Sequence, residues 1–282
     1  MVRDLRTAKQ LTLSETAKGI VSISFLSKFE RGDNEISIDH LLQILDRLNV
    51  SLDELNFIAN DFELDEQHYF TSELKNGVEA NNITKLESLL KSQDKIYSLT
   101  GNFRNRHNMA LINIHIAHLN HSTPSHDAIE TIEQYLLTVD AWGYYEFLLY
   151  TNSLVALPTD IILLLSKQAY QRGVLYSPIN IIQNQQVAVL INTISAVLKR
   201  HEFSQVNLFI KLAENDLASS NWLFEILIVK FFKSCYLLMK DPASAEGKQG
   251  TEAALDILIT LGKSSYADSL KKYKAELLNS TI

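Results

Sequence analysis

The sequence predicts an all-α protein in two parts. Five short helices occupy residues 1–60, and a right-handed α-solenoid of helix pairs follows over residues 61–282. Three observations lead there. Only 9 Gly and 4 Pro in 282 residues leave few tight turns for a sheet protein. Apolar residues recur at helical rather than alternating spacing. One segment repeats with a period of 39 to 40 residues. A hydrophobic content of 46% against 21% charged residues is enough for a packed core.

The short helices come first. Residues Arg3–Gln10 read as a helix with Leu5 and Ala8 inward. Leu13–Gly19 is a second, started by Thr12 or Ser14 as a cap. The third lies in SISFLSKFERGDNEIS (22–37). Ser22 caps it, Ile23, Leu26 and Phe29 form an apolar stripe, and Arg31-Gly32-Asp33-Asn34 stops it. Ser24, Phe25, Ser27 and Lys28 fall on its outer side. A longer amphipathic helix runs from Ser37 or Ile38 to Leu48. Ser51 begins a fifth, with Glu54 placed to complete a capping box. Short links of this kind join the helices of compact DNA-binding domains.

From about residue 65 the helices lengthen and pair. Residues 110–119, 148–157 and 188–198 align so that an Asn precedes an Ala by four residues: Asn113/Ala117, Asn152/Ala156 and Asn192/Ala196. The same period reaches Phe231/Cys235 and, backwards, Glu73/Gly77. Second helices are expected at about 82–93, 126–139, 159–171, 202–217 and 243–262. Stacked pairs of this kind form a tetratricopeptide-like solenoid. The small residue would let two helices of a pair approach, and the Asn residues would ladder along the inner wall.

The net charge of −7 weighs against non-specific nucleic-acid binding. It is uneven, however: residues 1–31 carry +3 and the remainder −10. Cys235 is the only cysteine, so no internal disulfide can form and a reducing, cytoplasmic setting is expected. MVRDLRTAKQ has no apolar core of a signal peptide. Apolar runs such as Ile226–Val229 are too short to span a bilayer. Five of the eight His lie between His107 and His126 (His107, His115, His118, His121, His126). His115 and His118 are one turn apart, but no Cys or carboxylate stands at matching spacing, so a half-buried or solvated His-rich helix is expected and no metal. There is no Gly-rich phosphate loop, zinc-protease pair or Gly-x-Ser-x-Gly elbow. Neither enzymatic activity nor a cofactor is expected.

Leu5-Arg6, Leu11-Thr12-Leu13, Ala17, the 22–30 helix and Glu30-Arg31-Gly32 resemble a phage-repressor-type helix-turn-helix. SKFERGDNEISIDHLLQILDRLNVSLDEL (27–55) is more specific: it resembles the Rgg/GadR/MutR family of regulators of low-GC Gram-positive bacteria. WGYYEFLLYTNSL (142–154) and LINTI (190–194) resemble two further segments of that family. The resemblance implies a cytoplasmic homodimeric transcription factor whose helix-turn-helix binds double-stranded promoter DNA. It also implies a tetratricopeptide-like domain that dimerises and, in many members, binds a short secreted peptide re-imported for quorum sensing. The first helix is a turn or two shorter than in relatives, and Ile23 and Phe25 replace longer polar residues.

The third helix of such a motif enters the major groove. Ser24, Ser27 and Lys28 are the candidates for base contact, with Phe25 set either against a thymine methyl or in the core. Arg6, Arg31 and Ser22 suit phosphate contacts, which position without specifying. Arg31 equally suits a helix C-terminal charge, and Glu30 a brace against Arg6. For the solenoid, Asn113, Asn152 and Asn192 could hydrogen-bond the backbone of an extended, apolar peptide, because an amide both donates and accepts. Alternatively each bonds within the solenoid. Tyr145, Tyr150, Phe231 and Phe232 would hold peptide side chains. Two other readings stand beside this one: a ligand-independent dimeric regulator of the same fold, and a helical-repeat scaffold that binds no DNA.

Overall fold

The computed structural model describes residues 1–60, 66–173, 180–218 and 220–279, with backbone alone over 172–173 and 180–185. Among them there are sixteen helices and no strand. The chain divides into two compact units, Met1–Asn76 and Gly77–Ile282. That division falls inside a helix, not at the expected boundary of residues 60 and 61. Residues 61–65 lie outside the described part.

The first unit contains α1 (Val2–Ala8), α2 (Leu13–Ala17), α3 (Ile23–Glu30), α4 (Ile38–Leu48), α5 (Leu52–Ala59) and most of α6 (Glu66–Glu79). Side-chain caps start each of α2 to α5. Thr12 and Glu15 form a capping box on α2, as Ser51 and Glu54 do on α5. Ser22 Oγ accepts from Phe25 N at 3.1 Å, and Ser37 caps α4. Gly19 at φ +76° turns the chain after α2, and Gly32 at φ +83° ends α3. At Gly32 the amides of Gly32 and Asp33 donate back to Phe29 and Lys28, a Schellman closure.

Leu26, Ile44, Leu45, Leu48, Ala17 and Val2 form the core of this unit. Two expectations need correction. In α1 the buried residues are Val2 and Arg6, while Ala8 is exposed. Ile23 is not part of the inward stripe of α3: it is 51% exposed, whereas Leu26 is fully buried.

The second unit continues with α7 (Ile83–Thr100), α8 (Phe103–Leu119), α9 (His126–Thr138), α10 (Tyr144–Ser153) and α11 (Thr159–Gly173). It ends with α12 (Asn180–Lys199), α13 (Phe203–Leu217), α14 (Leu223–Lys240), α15 (Ala245–Thr260) and α16 (Ser264–Asn279). The even-numbered helices from α8 to α16 pack on one another in succession, and the odd-numbered ones lie between them in sequence. This is the stacked-pair order that the repeat predicts.

The small-residue rule holds at Gly77, where a Cβ would lie 2.6 Å from Leu86 Cδ2. It does not hold at Ala156, which lies beyond the end of α10. The close approach of α14 and α15 is instead made by Gly247 and Gly250 of α15, set against Leu238 and Ser234. Cys235 is a buried core residue, its thiol pushed up to about 12 by burial.

Candidate functional site

The first site is the outer face of α3. Ser24, Lys28 and Arg31 lie four and three residues apart, so they share one face. All three are exposed, with Ser27 and Phe25 half-buried at its margins and Ile23 open at its start. Ser22 is committed to the helix as its cap and shares a 3.1 Å hydrogen bond with Ser24 Oγ. Arg31 donates to Asp33 at 2.9 Å and to Ser27 Oγ at 3.2 Å. The Lys28 ammonium takes part in none of these pairs and projects the clearest positive charge of the face.

Arg6 does not belong to that face. It is 8% exposed, and its guanidinium forks onto both Glu30 carboxylate oxygens at 2.7 and 2.8 Å. A third nitrogen donates to Leu11 O at 2.8 Å. Arg6 therefore joins α1 to the end of α3, with each of its three guanidinium nitrogens engaged within the unit. The brace between Arg6 and Glu30 is present in the structure. Arg47, which the sequence reading missed, plays a related part: its Nη1 donates to the carbonyls of Glu15, Thr16 and Lys18 at the end of α2. A cation there meets the negative end of the helix dipole.

The second site is a groove of about 400 Å³ in the second unit. His118 comes from α8, and Thr151, Leu154 and Val155 come from the end of α10. Along α12, Asn192, Ser195, Ala196 and Lys199 follow one face, with Arg200 just beyond. Asn192 is exposed in this groove. Ala196, half-buried, lines the same space.

The other expected contacts scatter. Asn113 is exposed on α8, outside the groove lining. Asn152 is half-buried and donates to Leu148 O at 2.8 Å within its own helix. Phe231 is fully buried in the α12–α16 core, beside Phe232 at 5.9 Å between ring centroids. A side chain closed in on all sides cannot receive a peptide, so Phe231 is a core residue, and Phe232 at 5% exposure with it.

Tyr145 belongs to a separate cluster. Its hydroxyl meets His107 Nδ1 at 2.7 Å, and Tyr135, 4.5 Å from the His107 ring, donates to Glu146 at 2.7 Å. Burial pushes His107 down to about 4, so it is neutral near pH 7. His115 is likewise lowered by burial and hydrogen-bonds the Asn152 backbone. Among the described residues no three His, Cys, Asp or Glu side chains converge as a metal site would require. No helix there is long and apolar enough to cross a membrane.

A family model described as the C-terminal domain of the HTH-type transcriptional regulator Rgg matches residues 86–272, and a helix-turn-helix model matches residues 2–55. The fold is similar to the Streptococcus dysgalactiae SHP pheromone receptor Rgg2, with a TM-score of 0.78 at 24% identity, covering 98% of this chain and 97% of that one. A Listeria monocytogenes EGD-e protein classed as a transcriptional regulator gives 0.85 at 21%, covering 99% and 96%. The PrgX/cCF10 complex gives 0.71 at 14%, covering 98% and 97%.

Proposed function

Because the chain belongs to the Rgg family of helix-turn-helix transcriptional regulators, we propose that it is a cytoplasmic homodimer whose DNA binding is set by a short signalling peptide. The peptide would lie in the α8–α10–α12 groove. The observation that carries this reading is the groove itself. It opens on the wall built from successive even-numbered helices, with the Asn192 amide free in it. An amide there can both donate to and accept from a peptide unit of any sequence. The likeness to a pheromone receptor supports the same reading.

At the other end, Ser24, Ser27 and Lys28 of α3 reach base edges. Phe25 flanks them, and Ser22 and Arg31 lie along the backbone. In a dimer the two recognition helices must meet half-sites roughly 34–36 Å apart, or a multiple of that. A peptide changes this spacing only through unequal affinity for the two arrangements of the dimer.

The test is selection of sheared host genomic DNA on the full-length protein at fixed salt, with and without a pool of short apolar peptides from spent medium. Salt is fixed because phosphate contacts make affinity steeply salt-dependent. Enrichment of a few promoters, altered by the pool, is the expected result. Enrichment that the pool leaves unchanged would favour a ligand-independent regulator. No enrichment at all would favour a scaffold.

Two variants sharpen this. Lys28→Ala should lower affinity for the selected promoter by about 1–3 kcal/mol and relax preference at one base pair, read by gel shift on a set of single-base operator variants. A uniform loss on every operator, with the salt slope reduced by about 1, would make Lys28 a phosphate contact. Asn192→Ala should raise the peptide concentration needed for half-response by about tenfold, since one hydrogen bond to a desolvated peptide unit is worth about 1 kcal/mol or more. An unchanged midpoint would remove Asn192 from the site.

A further inference from the structure

We propose that the basic end of the α8–α10–α12 groove, at Arg200 and Lys199, holds a carboxylate of the bound peptide. This rests on the peptide reading above and adds the chemistry and polarity of its ligand.

The first observation is an orphaned donor. Arg200 uses Nη2 to hold the carbonyls of Leu154 at 3.2 Å and Leu157 at 2.9 Å, which fixes the turn after α10. Its Nη1 is buried and has no hydrogen-bond partner. A cationic N–H without an acceptor is rare in folded proteins; this one has no open surface here, so a carboxylate reaches it only with a shift of the Arg200 side chain, which lines the groove.

The second observation is the composition of the groove. Among the described residues its lining includes Arg200, Lys199 and His118, and no Asp or Glu. That is a local reversal of sign in a chain of net charge −7. Lys199 is held only loosely: its Nζ is 3.9 Å from Glu276 and 5.1 Å from the Tyr273 ring centroid, with the side chain 54% exposed. It can swing to an anion without breaking a close hydrogen bond. Guanidinium and ammonium groups side by side favour a carboxylate over a neutral amide.

The third observation is spacing. Asn192 precedes Lys199 and Arg200 on α12 by seven and eight residues, about 10–12 Å of helix. An extended peptide covers that distance in three or four residues at about 3.3 Å each. A carboxylate anchored at Arg200 therefore brings a peptide unit a few residues away under the Asn192 amide. The carboxylate is that of the chain terminus or of an Asp or Glu side chain; both present the same two oxygens.

The experiment uses the full-length protein and three synthetic octapeptide pools built from Leu, Ile, Val, Phe and Gly. One pool has free C-terminal carboxylates, the second has C-terminal amides, and the third has amides plus one Asp. Peptide retained after gel filtration is quantified by mass spectrometry. Retention of the free-acid pool about tenfold above the plain amide pool supports a terminal carboxylate. Retention of only the Asp pool above the plain amide pool supports a side-chain carboxylate. In either case Arg200→Gln should erase the preference, and Lys199→Gln, at an exposed position, should reduce it several-fold. The preference is a ratio within one variant, so a general loss of affinity does not imitate it. Equal retention of all three pools overturns the carboxylate site and leaves the peptide groove standing. A preference that survives both substitutions also overturns it. No retention of any pool overturns the peptide reading and this inference together.

Discussion

Arg6→Ala is expected to unfold the first unit and thereby abolish DNA binding, although Arg6 touches no part of the α3 outer face. The substitution leaves Glu30 buried, its side chain 3% exposed, without its bidentate partner. It also strips the Leu11 carbonyl of its donor. Removing one member of a buried ion pair costs about 3–5 kcal/mol. A unit of this size has a total stability of roughly 0.05–0.15 kcal/mol per residue, so that loss is most of what it has. Hydrogen exchange on the full-length protein should show α1 and α3 amides losing protection while α12 and α14 keep theirs. Replacing both partners, Arg6→Met with Glu30→Met, should recover much of the loss, because no charge is then left buried. If instead Arg6→Ala keeps α1 and α3 protected, and only weakens binding with a shallower salt slope, Arg6 is a phosphate ligand after all.

Arg6 also shows where the sequence stops being legible. Caps are local, and Ser22 and the Ser51–Glu54 box read correctly; Thr12, one of two candidates, proves to be the cap of α2, and each cap lies within three residues of the group it satisfies. The pairing of Arg6 with Glu30 spans 24 residues. Spacing could raise it as an option but could not choose between a brace and a phosphate contact. Ile23 failed for a different reason. It is the first residue of α3, before the helix has turned onto the core, so helical periodicity overstates its burial.

In the second unit the period of 39 to 40 residues located α8, α10, α12 and α14, because each pair must bury the same kind of stripe. The period says nothing about what covers each copy. Asn192 opens on a groove, whereas Phe231, one period on, sits on α14, which α12, α13, α15 and α16 enclose. Arg200 escaped notice because its carbonyl partners lie 43 and 46 residues away and it stands outside the repeat register. Its one sequence signal was a pair of basic residues, Lys199-Arg200, closing a helix within an acidic chain.

Tyr150→Ala is expected to be the most damaging single change in the second unit. Tyr150 is fully buried on α10, against Trp142 at 5.6 Å between ring centroids. Its hydroxyl donates to Ile162 O at 3.2 Å and lies 2.6 Å from Ser166 Oγ on α11 and 3.4 Å from Thr193 Oγ1 on α12. One side chain thus locks three helices together, and burial pushes its hydroxyl up to about 12, which keeps it a neutral donor. This is a structural role, not the peptide contact its sequence position suggested. Truncating a buried aromatic ring to Ala costs about 3–5 kcal/mol. For a unit of about 200 residues that corresponds to a fall in Tm of roughly 2–4 °C per kcal/mol. Tyr150→Phe keeps the ring and should cost only about 0.5–1.5 kcal/mol, the net worth of one hydrogen bond, because the Ser166 and Thr193 hydroxyls still pair with each other at 3.1 Å. In a solenoid each pair is stabilised mainly by its neighbours. Breaking the α10–α11–α12 joint should therefore split one unfolding transition into two, with α13–α16 melting last. The same joint carries Thr151 and Asn192 into the groove, so the peptide response should vanish at temperatures where α14 and α16 are still protected. A single transition shifted by less than 1 kcal/mol in Tyr150→Ala would mean that the three helices are held by packing alone.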